Sequence, residues 1–186
     1  DDSTHTYTVA GRVVPHVTGI LNQLTDYSRI PPDRLEIARQ RGKDVHAMVE
    51  LDVRGDLDEA ALPEWLRPVF AIWRKFSSES GIEVISSERR VYHKQYRFAG
   101  TYDLKCTMRG QKGVGIVDVK RSFMAGPVIG YQTAAYAEAD EDKIQWRAAL
   151  RLHEDKPYKL ELYDDKNDFQ RFLSCLAFYR LKEKLK

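Results

Sequence analysis

Residues 101–120 read Thr-Tyr-Asp-Leu-Lys-Cys-Thr-Met-Arg-Gly-Gln-Lys-Gly-Val-Gly-Ile-Val-Asp-Val-Lys and decide the fold. Two apolar runs, each interrupted by an acid, flank a segment rich in Gly and Lys, which is the pattern of a β-hairpin. Side chains alternate between faces along a strand, so Asp118 and Lys120 point the same way. Because Asp and Lys are uncommon inside strands, their presence here indicates a chemical role.

The turn positions predict the register of the strands around these acids. A turn at Arg109–Gly113 sets Asp103 roughly opposite Asp118, and a preceding turn near His93–Tyr96 sets Glu88 roughly opposite Asp103. Three carboxylates side by side would repel one another and raise their own pKa values. A bound Mg²⁺ or Mn²⁺ would keep all three ionised, so this register predicts a metal site. A slip of one residue in either turn would separate the acids onto opposite faces.

The composition is that of an ordinary globular protein. The 186 residues are 42% hydrophobic and 31% charged, which predicts one domain spanning residues 1–186 with a sizeable core. A net charge of +2 neither requires nor excludes nucleic acid, so any such surface must be a local basic patch. Cys106 and Cys175 have no CxxC spacing, and we expect reduced thiols and no iron–sulfur cluster. We expect neither a membrane span nor a signal peptide, and a cytoplasmic setting.

The remaining pattern predicts an α/β fold, with a central mixed sheet flanked by helices and an N-terminal helical extension. Thr18 is expected to cap the first helix and Asp33 the second, where Glu36 completes a capping box. Gly42, inside the second helix, predicts either close approach of another group or helix packing. The predicted elements are a hairpin over 4–14, helices over 17–24, 34–53 and 62–76 (the last broken at Pro68), strands over 82–92, 96–108 and 114–120, a helix over 126–139, a hairpin of 143–152 with 158–163, and a helix over 168–184.

Two of the helices carry polar side chains at a spacing of four residues, which places them on one face. These pairs are His46 with Glu50, and Gln132 with Tyr136. Each candidate also has a purely structural alternative: an exposed edge-strand ion pair for Asp118 and Lys120, a surface pair with Arg90 for Glu88, a helix-surface pair for His46 and Glu50, and ordinary helix positions for Gln132 and Tyr136.

Taken in order, these motifs resemble the PD-(D/E)XK nuclease superfamily, and within it the RecB-like branch that includes phage recombination exonucleases. Asp103 in Ala-Gly-Thr-Tyr-Asp resembles the first acid of the signature, and Asp118-Val-Lys120 resembles its D/E-x-K element. Gln132-Thr-Ala-Ala-Tyr136 resembles the Q-x-x-x-Y motif, and Gly42-Lys-Asp-Val-His46 resembles the N-terminal histidine motif. Glu88 stands where an extra acid often precedes the hairpin. The likeness spans nearly the whole chain and implies a restriction-endonuclease-like core.

The resemblance implies metal-dependent hydrolysis of a DNA phosphodiester. Asp103 and Asp118 would hold Mg²⁺, for which Mn²⁺ would substitute, with the Val119 carbonyl as a further ligand. Glu88 and His46 would complete the site or serve a second ion. The cysteine-ligated iron–sulfur cluster of some relatives is not expected here.

Other residues would act on the water, the phosphate or the DNA strand. Lys120 would orient or deprotonate the attacking water, or neutralise the phosphate, and the sequence leaves these roles open. Gln132 and Tyr136 would touch the DNA backbone or support the site. Arg121 and Ser122, directly after the motif, are candidate phosphate contacts.

The expected activity is that of an exonuclease acting on DNA ends. The alternatives are a structure-specific or restriction-like endonuclease on the same fold, or a non-catalytic DNA-binding module, since fold does not fix function. DNA is the expected partner, and a single-strand annealing or recombination protein and a homo-oligomer are further candidates; no membrane is expected. The expected setting is the cytoplasm of a bacterium or of a phage-infected host cell.

Overall fold

The computed structural model describes residues 6–121 and 126–185, which form a mixed α/β fold. The elements are, in chain order, β1 (Tyr7–Val9), β2 (Arg12–Val14), α1 (Val17–Leu21), α2 (Pro32–Arg54), α3 (Arg67–Ser80), β3 (Glu83–His93), β4 (Phe98–Thr107), β5 (Gly115–Lys120), α4 (Pro127–Ala139), β6 (Trp146–His153), β7 (Lys156–Leu162) and α5 (Asp168–Lys184), with 3-10 turns at Asn22–Leu24 and Glu59–Ala61. Over the described residues, β3 to β7 form one five-stranded sheet and β1 pairs with β2 in a separate hairpin.

The central sheet is mixed, as predicted from the order of the elements. Its strands lie in sequence order and run antiparallel, except that β5 and β6 are parallel. A parallel pair requires a crossover, and α4 supplies it. This helix begins at Pro127, where the missing N–H costs no hydrogen bond. The crossover lays α4 across the sheet, where its side chains can reach the middle of β5.

Apolar layers cover both faces of the sheet. The first packs α2 and α3 around Trp73, and the second packs α1, α4 and α5 around Phe172. Val117 of β5 belongs to the first layer and Ile116 to the second, as strand alternation requires. By the same alternation, Asp118 lies on the α4 side of a strand that is buried along almost its whole length.

Two predicted helix caps are wrong. The cap of α1 is His16, whose Nδ1 accepts a hydrogen bond from the Gly19 N–H at 3.2 Å, and not Thr18. In α2 the helix begins at Pro32, so Asp33 lies inside the first turn instead of capping it. Its negative charge there still suits the positive end of the helix dipole.

A further prediction about a helix interior is also wrong. Pro68 does not break a helix over 62–76, because α3 begins at Arg67 and the proline occupies the first turn. A Cβ added at Gly42 would meet no described atom within 4 Å, so packing against the described residues does not explain this glycine, and the close approach of another group stays a prediction. No helix in the described part of the chain is long and apolar enough to cross a membrane.

Candidate active site

The register of the sheet brings three acids into one row. Position 104 of β4 pairs with position 87 of β3 on one side and with position 117 of β5 on the other. Since β4 is antiparallel to both neighbours, Asp103 lies opposite Glu88 and opposite Asp118. This is the register predicted from the two turns.

The pairing of β4 with β5 ends beside this row. The paired positions run from Cys106 with Gly115 to Leu104 with Val117, whereas β5 remains paired with β6 as far as Lys120. Beyond the last β4–β5 pair, the Val119 N–H donates to Oδ2 of Asp103. The aspartate thus replaces a strand-to-strand bond, which fixes its carboxylate between the two diverging strands.

Glu88 reaches the row through an irregular stretch of β3. The register between β3 and β4 shifts by one residue between Val84 and Ser86. Glu88 itself has a φ of 47°, in the left-handed region that side chains disfavour. Bulges and such residues re-aim side chains, and they are frequent at functional sites.

His46 approaches the acids from α2. Its Nδ1 lies 3.2 Å from Oδ1 of Asp103 and 4.0 Å from Oε1 of Glu88. One ligand atom from each of these three residues lies within 4.8 Å of the others. The predicted alternative, a surface pair of His46 with Glu50, does not form in the described structure, where Glu50 pairs with Arg54.

Asp118 is held from two sides. Its Oδ2 lies 2.7 Å from the Lys120 ammonium, and its Oδ1 accepts a hydrogen bond from Nε2 of Gln132 at 3.0 Å. Gln132 also lies 3.1 Å from the hydroxyl of Tyr136. Asp118 is only 1% exposed, so Asp118 and Lys120 do not form the exposed edge-strand pair that was the structural alternative.

Gln132 and Tyr136 are both buried, at 8% and 2% exposure. Gly100 of β4 makes room for the tyrosine ring, since a Cβ there would lie 2.5 Å from Cε1 of Tyr136. Of the two predicted roles, support of the site fits this burial, and contact with a DNA backbone does not. The helix positions are therefore not ordinary ones, because they connect α4 to Asp118.

The pKa values of Glu88, Asp103 and His46 all depart from their ordinary values. Burial and the neighbouring charge of Asp103 raise the pKa of Glu88 to about 7. Burial alone would raise the pKa of Asp103, but His46, Lys120 and the Val119 N–H outweigh it and hold this pKa below its ordinary value. Burial would lower the pKa of His46, but the charge and hydrogen bond of Asp103 raise it overall. The acids therefore stabilise the protonated form of this histidine relative to that of an isolated imidazole.

The pKa values of Asp118 and Lys120 are shifted as well. Burial raises the pKa of Asp118, and Lys120 only partly offsets this effect. Burial would lower the pKa of Lys120, but the charges of Asp118 and Asp103 raise it overall. The charges of these two acids therefore favour the ammonium form of Lys120, and its role toward the water or the phosphate stays a prediction.

The other predicted residues are placed as follows. Arg121 pairs with Glu154 at the turn between β6 and β7, a partner that no sequence pattern indicated. The Val119 backbone adjoins Asp103 through its N–H. Ser122 lies outside the described residues. The sequence also gave no signal for Lys105, which is buried in a pair with Asp140.

A large cavity opens beside the row. It has a volume of about 910 Å³, and residues of β1, α2, β3 and β4 line it. Glu88 forms part of its wall, together with Tyr7, Arg54 and Tyr92. Of the three acids, Glu88 is therefore the one that faces this cavity, whose volume lies within the range of small-ligand pockets.

The fold and the site together define a mixed α/β protein in which two buried aspartates lie beside a partly buried glutamate, a histidine and a lysine. No protein-family model and no curated protein matches the chain. Among solved structures it is similar to the crystal structure of an alkaline exonuclease (LHK-Exo) from Laribacter hongkongensis. The two share 13% sequence identity over 89% of this chain and 92% of that chain, with a TM-score of 0.40. So distant a likeness carries no information about activity, which has to be inferred from the site.

Proposed function

We propose that this chain is a divalent-metal-dependent deoxyribonuclease, built as one domain over residues 1–186, that hydrolyses phosphodiester bonds from DNA ends. The observation that carries the proposal is the row of Glu88, Asp103 and Asp118, in which both aspartates are buried and Asp118 lies 2.7 Å from the Lys120 ammonium. Carboxylates attract hard divalent cations, and an ammonium attracts phosphate. A phosphodiester is the substrate class that needs both.

The donor set fits Mg²⁺, with Mn²⁺ as a substitute. Three carboxylates face one histidine and one lysine, and burial together with this excess of negative charge raises the pKa of Glu88 to about 7. A cation would offset the repulsion and keep all three carboxylates ionised. Asp103 and Asp118 would hold it, and Glu88 and the Val119 carbonyl would add further oxygens.

We assign His46 to the orientation of Asp103. Its Nδ1 lies 3.2 Å from that carboxylate, and carboxylate ligands of metals are typically fixed by such hydrogen bonds. Imidazole is a less usual ligand of Mg²⁺ than a carboxylate oxygen is. Gln132 has the corresponding role at Asp118, and Tyr136 holds Gln132 in turn.

When bound, the cation would lower the pKa of a coordinated water and offset the charge that builds on the phosphate. The Lys120 ammonium stabilises developing negative charge on a phosphate oxygen or orients the attacking water by donating to it. A general base is the other role that the motif leaves open for this lysine. The rigid supports of Asp103 and Asp118 hold these groups in place before the substrate arrives, which limits the reorganisation needed during the reaction.

The preference for DNA ends comes from the resemblance of the motifs, and an endonuclease is the alternative. Phage-type recombination, replication or repair is the process that this resemblance suggests. A single-strand annealing protein and further copies of the chain are the proposed partners besides DNA. The cytoplasm of a bacterium or of a phage-infected cell is the proposed setting.

The test compares linear duplex DNA, closed circular DNA and single-stranded DNA, each with Mg²⁺, with Mn²⁺ and with EDTA. Metal-dependent loss of linear DNA alone is the expected result. Nicking of the closed circle would replace the exonuclease with the endonuclease. Metal-independent cleavage, or no cleavage of any of the three DNAs, would contradict the proposal.

A further inference from the structure

A second group of charged and aromatic side chains lies next to the acid row. Arg41, Trp65, Arg121 and Glu154 form it, and we call it the arginine–tryptophan cluster. The guanidinium carbons of Arg41 and Arg121 lie 5.0 and 6.0 Å from the centre of the Trp65 ring. Both arginines donate to Oε1 of Glu154, Arg41 through Nη1 at 3.4 Å and Arg121 through Nη2. Two arginines from separate segments of the chain thus meet at one indole and one carboxylate.

The cluster lies on the β6 side of the acids. Arg121 directly follows Lys120 at the end of β5, and Glu154 directly follows the end of β6. Because β5 and β6 are parallel, their carboxyl ends lie at the same edge of the sheet. Arg41 comes from α2, the helix that also carries His46. The site is therefore asymmetric, with Glu88 and His46 toward β3 and the arginines toward β6.

The two guanidiniums give the cluster one positive charge in excess. Burial would raise the pKa of Glu154, but its own backbone N–H and Arg121 hold that pKa below its ordinary value, so the carboxylate is ionised. One arginine would suffice to neutralise it. A second cation on the same carboxylate adds repulsion between like charges, which an anion bound between the two guanidiniums would relieve.

The geometry also leaves donors available on the arginines. Each guanidinium has five N–H groups in a planar fork and directs one nitrogen at Glu154. Stacking on an indole covers the face of a guanidinium and leaves its edge for hydrogen bonds. The Arg41 side chain is 39% exposed, so its edge can be reached from solvent.

We propose that the arginine–tryptophan cluster binds a backbone phosphate of the DNA strand, next to the phosphate being hydrolysed, and that Glu154 positions both arginines for it. This inference rests on the proposed nuclease function and extends it. The strand then runs over the site from the acid row toward the β6–β7 turn. Arg41 and Arg121 contact the phosphate, while Trp65 and Glu154 act through the arginines.

The experiment measures binding of fluorescein-labelled single- and double-stranded DNA by fluorescence anisotropy over a series of NaCl concentrations. EDTA is present, so that metal-dependent cleavage cannot start. The variants are Arg41→Gln, Arg121→Gln and the double variant. Arg39→Gln is the matched control, because it removes the same charge from the exposed part of α2, where Arg39 pairs only loosely with Glu36 at 3.9 Å.

Each cluster variant is expected to bind about tenfold more weakly at low salt, as for the loss of one charge-assisted contact. The slope of log affinity against log salt should fall by about one for each arginine removed. Arg39→Gln should keep the wild-type slope. Thermal melting of each variant checks folding, and Arg41→Gln alone decides the matter if Arg121→Gln does not fold.

The outcomes separate this inference from the function on which it rests. If the wild type binds and degrades DNA but folded Arg41→Gln keeps its affinity and salt slope, the cluster does not bind phosphate and the nuclease proposal stands. An equal loss in Arg39→Gln would mean a diffuse electrostatic effect and would also overturn the inference. If the wild type neither binds nor degrades DNA, both proposals fail.

Discussion

Two Asp-x-Lys triplets lie on neighbouring strands of the central sheet, Asp103-Leu104-Lys105 on β4 and Asp118-Val119-Lys120 on β5. In the β5 triplet, the lysine stays 2.7 Å from its own aspartate. In the β4 triplet, Lys105 instead lies 2.7 Å from Asp140, just beyond α4, and Asp103 contacts His46. The same three-residue pattern thus gives a candidate reactive Asp–Lys pair in one strand. In the neighbouring strand, the aspartate and the lysine have separate partners.

The two lysines differ in how many hydrogen bonds are accepted by the carboxylate that each of them contacts. Both oxygens of Asp140 have donors, since Oδ1 accepts from Lys105 and from the Asp142 N–H while Oδ2 accepts from Tyr102. Burial would raise the pKa of Asp140, but Lys105 and these other donors hold it below its ordinary value. Burial instead raises the pKa of Asp118, the acid that Lys120 contacts, and raises that of Glu88 in the same row to about 7. The donors outweigh burial at Asp140 and do not outweigh it at Asp118, which separates a structural ion pair from a candidate reactive centre.

The largest expected effect is that of Asp118→Asn on cleavage. The variant keeps the shape of the side chain but removes the charge that would hold the cation, so we expect a loss of about ten-thousandfold in kcat. Rates of Mg²⁺-dependent degradation of linear DNA measure it. Asp140→Asn is the matched control, because it also removes a carboxylate bound to a lysine, and its rate per folded molecule should stay near that of the wild type. Turnover of Asp118→Asn at the wild-type rate would contradict the assignment.

Lys120→Ala should lower kcat by about a thousandfold, because it removes the cation that stabilises charge on the phosphate. Metal binding should survive, since the carboxylates remain. Titration with Mn²⁺, followed by calorimetry, measures this second quantity in the same variant. A marked fall in Mn²⁺ affinity would show that Lys120 acts on the metal site instead of on the substrate.

Lys105→Met should lower the free energy of unfolding by about 3 kcal/mol, because it leaves the buried Asp140 carboxylate without its cation. Urea unfolding gives this value. Lys112→Met, in the exposed turn before β5, removes a lysine without this burial and should change stability by no more than about 0.5 kcal/mol. A loss of activity in folded Lys105→Met, with stability unchanged, would reverse the roles given to the two triplets.

The smallest expected effect is the pH dependence of stability without metal. A carboxyl whose pKa is raised in the folded state binds more protons there than in the unfolded state, so stability falls as pH rises from about 4.5 to about 7. The raised pKa of His46 acts in the same direction, since its contribution is lost as pH rises through that value. Glu88→Gln should reduce this fall in the free energy of unfolding by about 1 kcal/mol, after allowance for the partial exposure of Glu88.

Melting temperatures measured in EDTA across this pH range test the effect. Glu83→Gln, on the exposed end of β3, is the matched control and should retain the wild-type pH profile. A wild-type stability that rises between pH 5 and about 7 would contradict the charge balance described for the row.

The sequence predicts the acid row because local features determine it. The turns near residues 93–96 and 109–113 set the register that brings Glu88, Asp103 and Asp118 side by side, although no local pattern indicates the left-handed backbone of Glu88. The partners of long side chains depend instead on tertiary packing. His46 contacts Asp103 and not Glu50, its neighbour on the helix, because α2 packs over the sheet. The spacing of residues along the chain does not indicate which of several possible partners a long side chain contacts.

The same reason explains the residues that sequence patterns missed. Asp140 meets Lys105 only because the α4 crossover ends above β4, and Glu154 meets Arg121 only because β6 lies parallel to β5. The predicted start of α2 is wrong because two signals for a helix start lie next to each other there. The proline at position 32 already supplies the first helical residue, so Asp33 cannot be the cap.

The left-handed backbone of Glu88 has a consequence for engineering. A residue with a side chain at φ 47° costs about 1 kcal/mol or more relative to glycine. Glu88→Gly would relieve both this strain and the repulsion among the acids, so it should raise the melting temperature of the metal-free protein. Selection for heat resistance in the absence of metal would therefore favour the loss of Glu88, and with it one of the acids that would bind a cation.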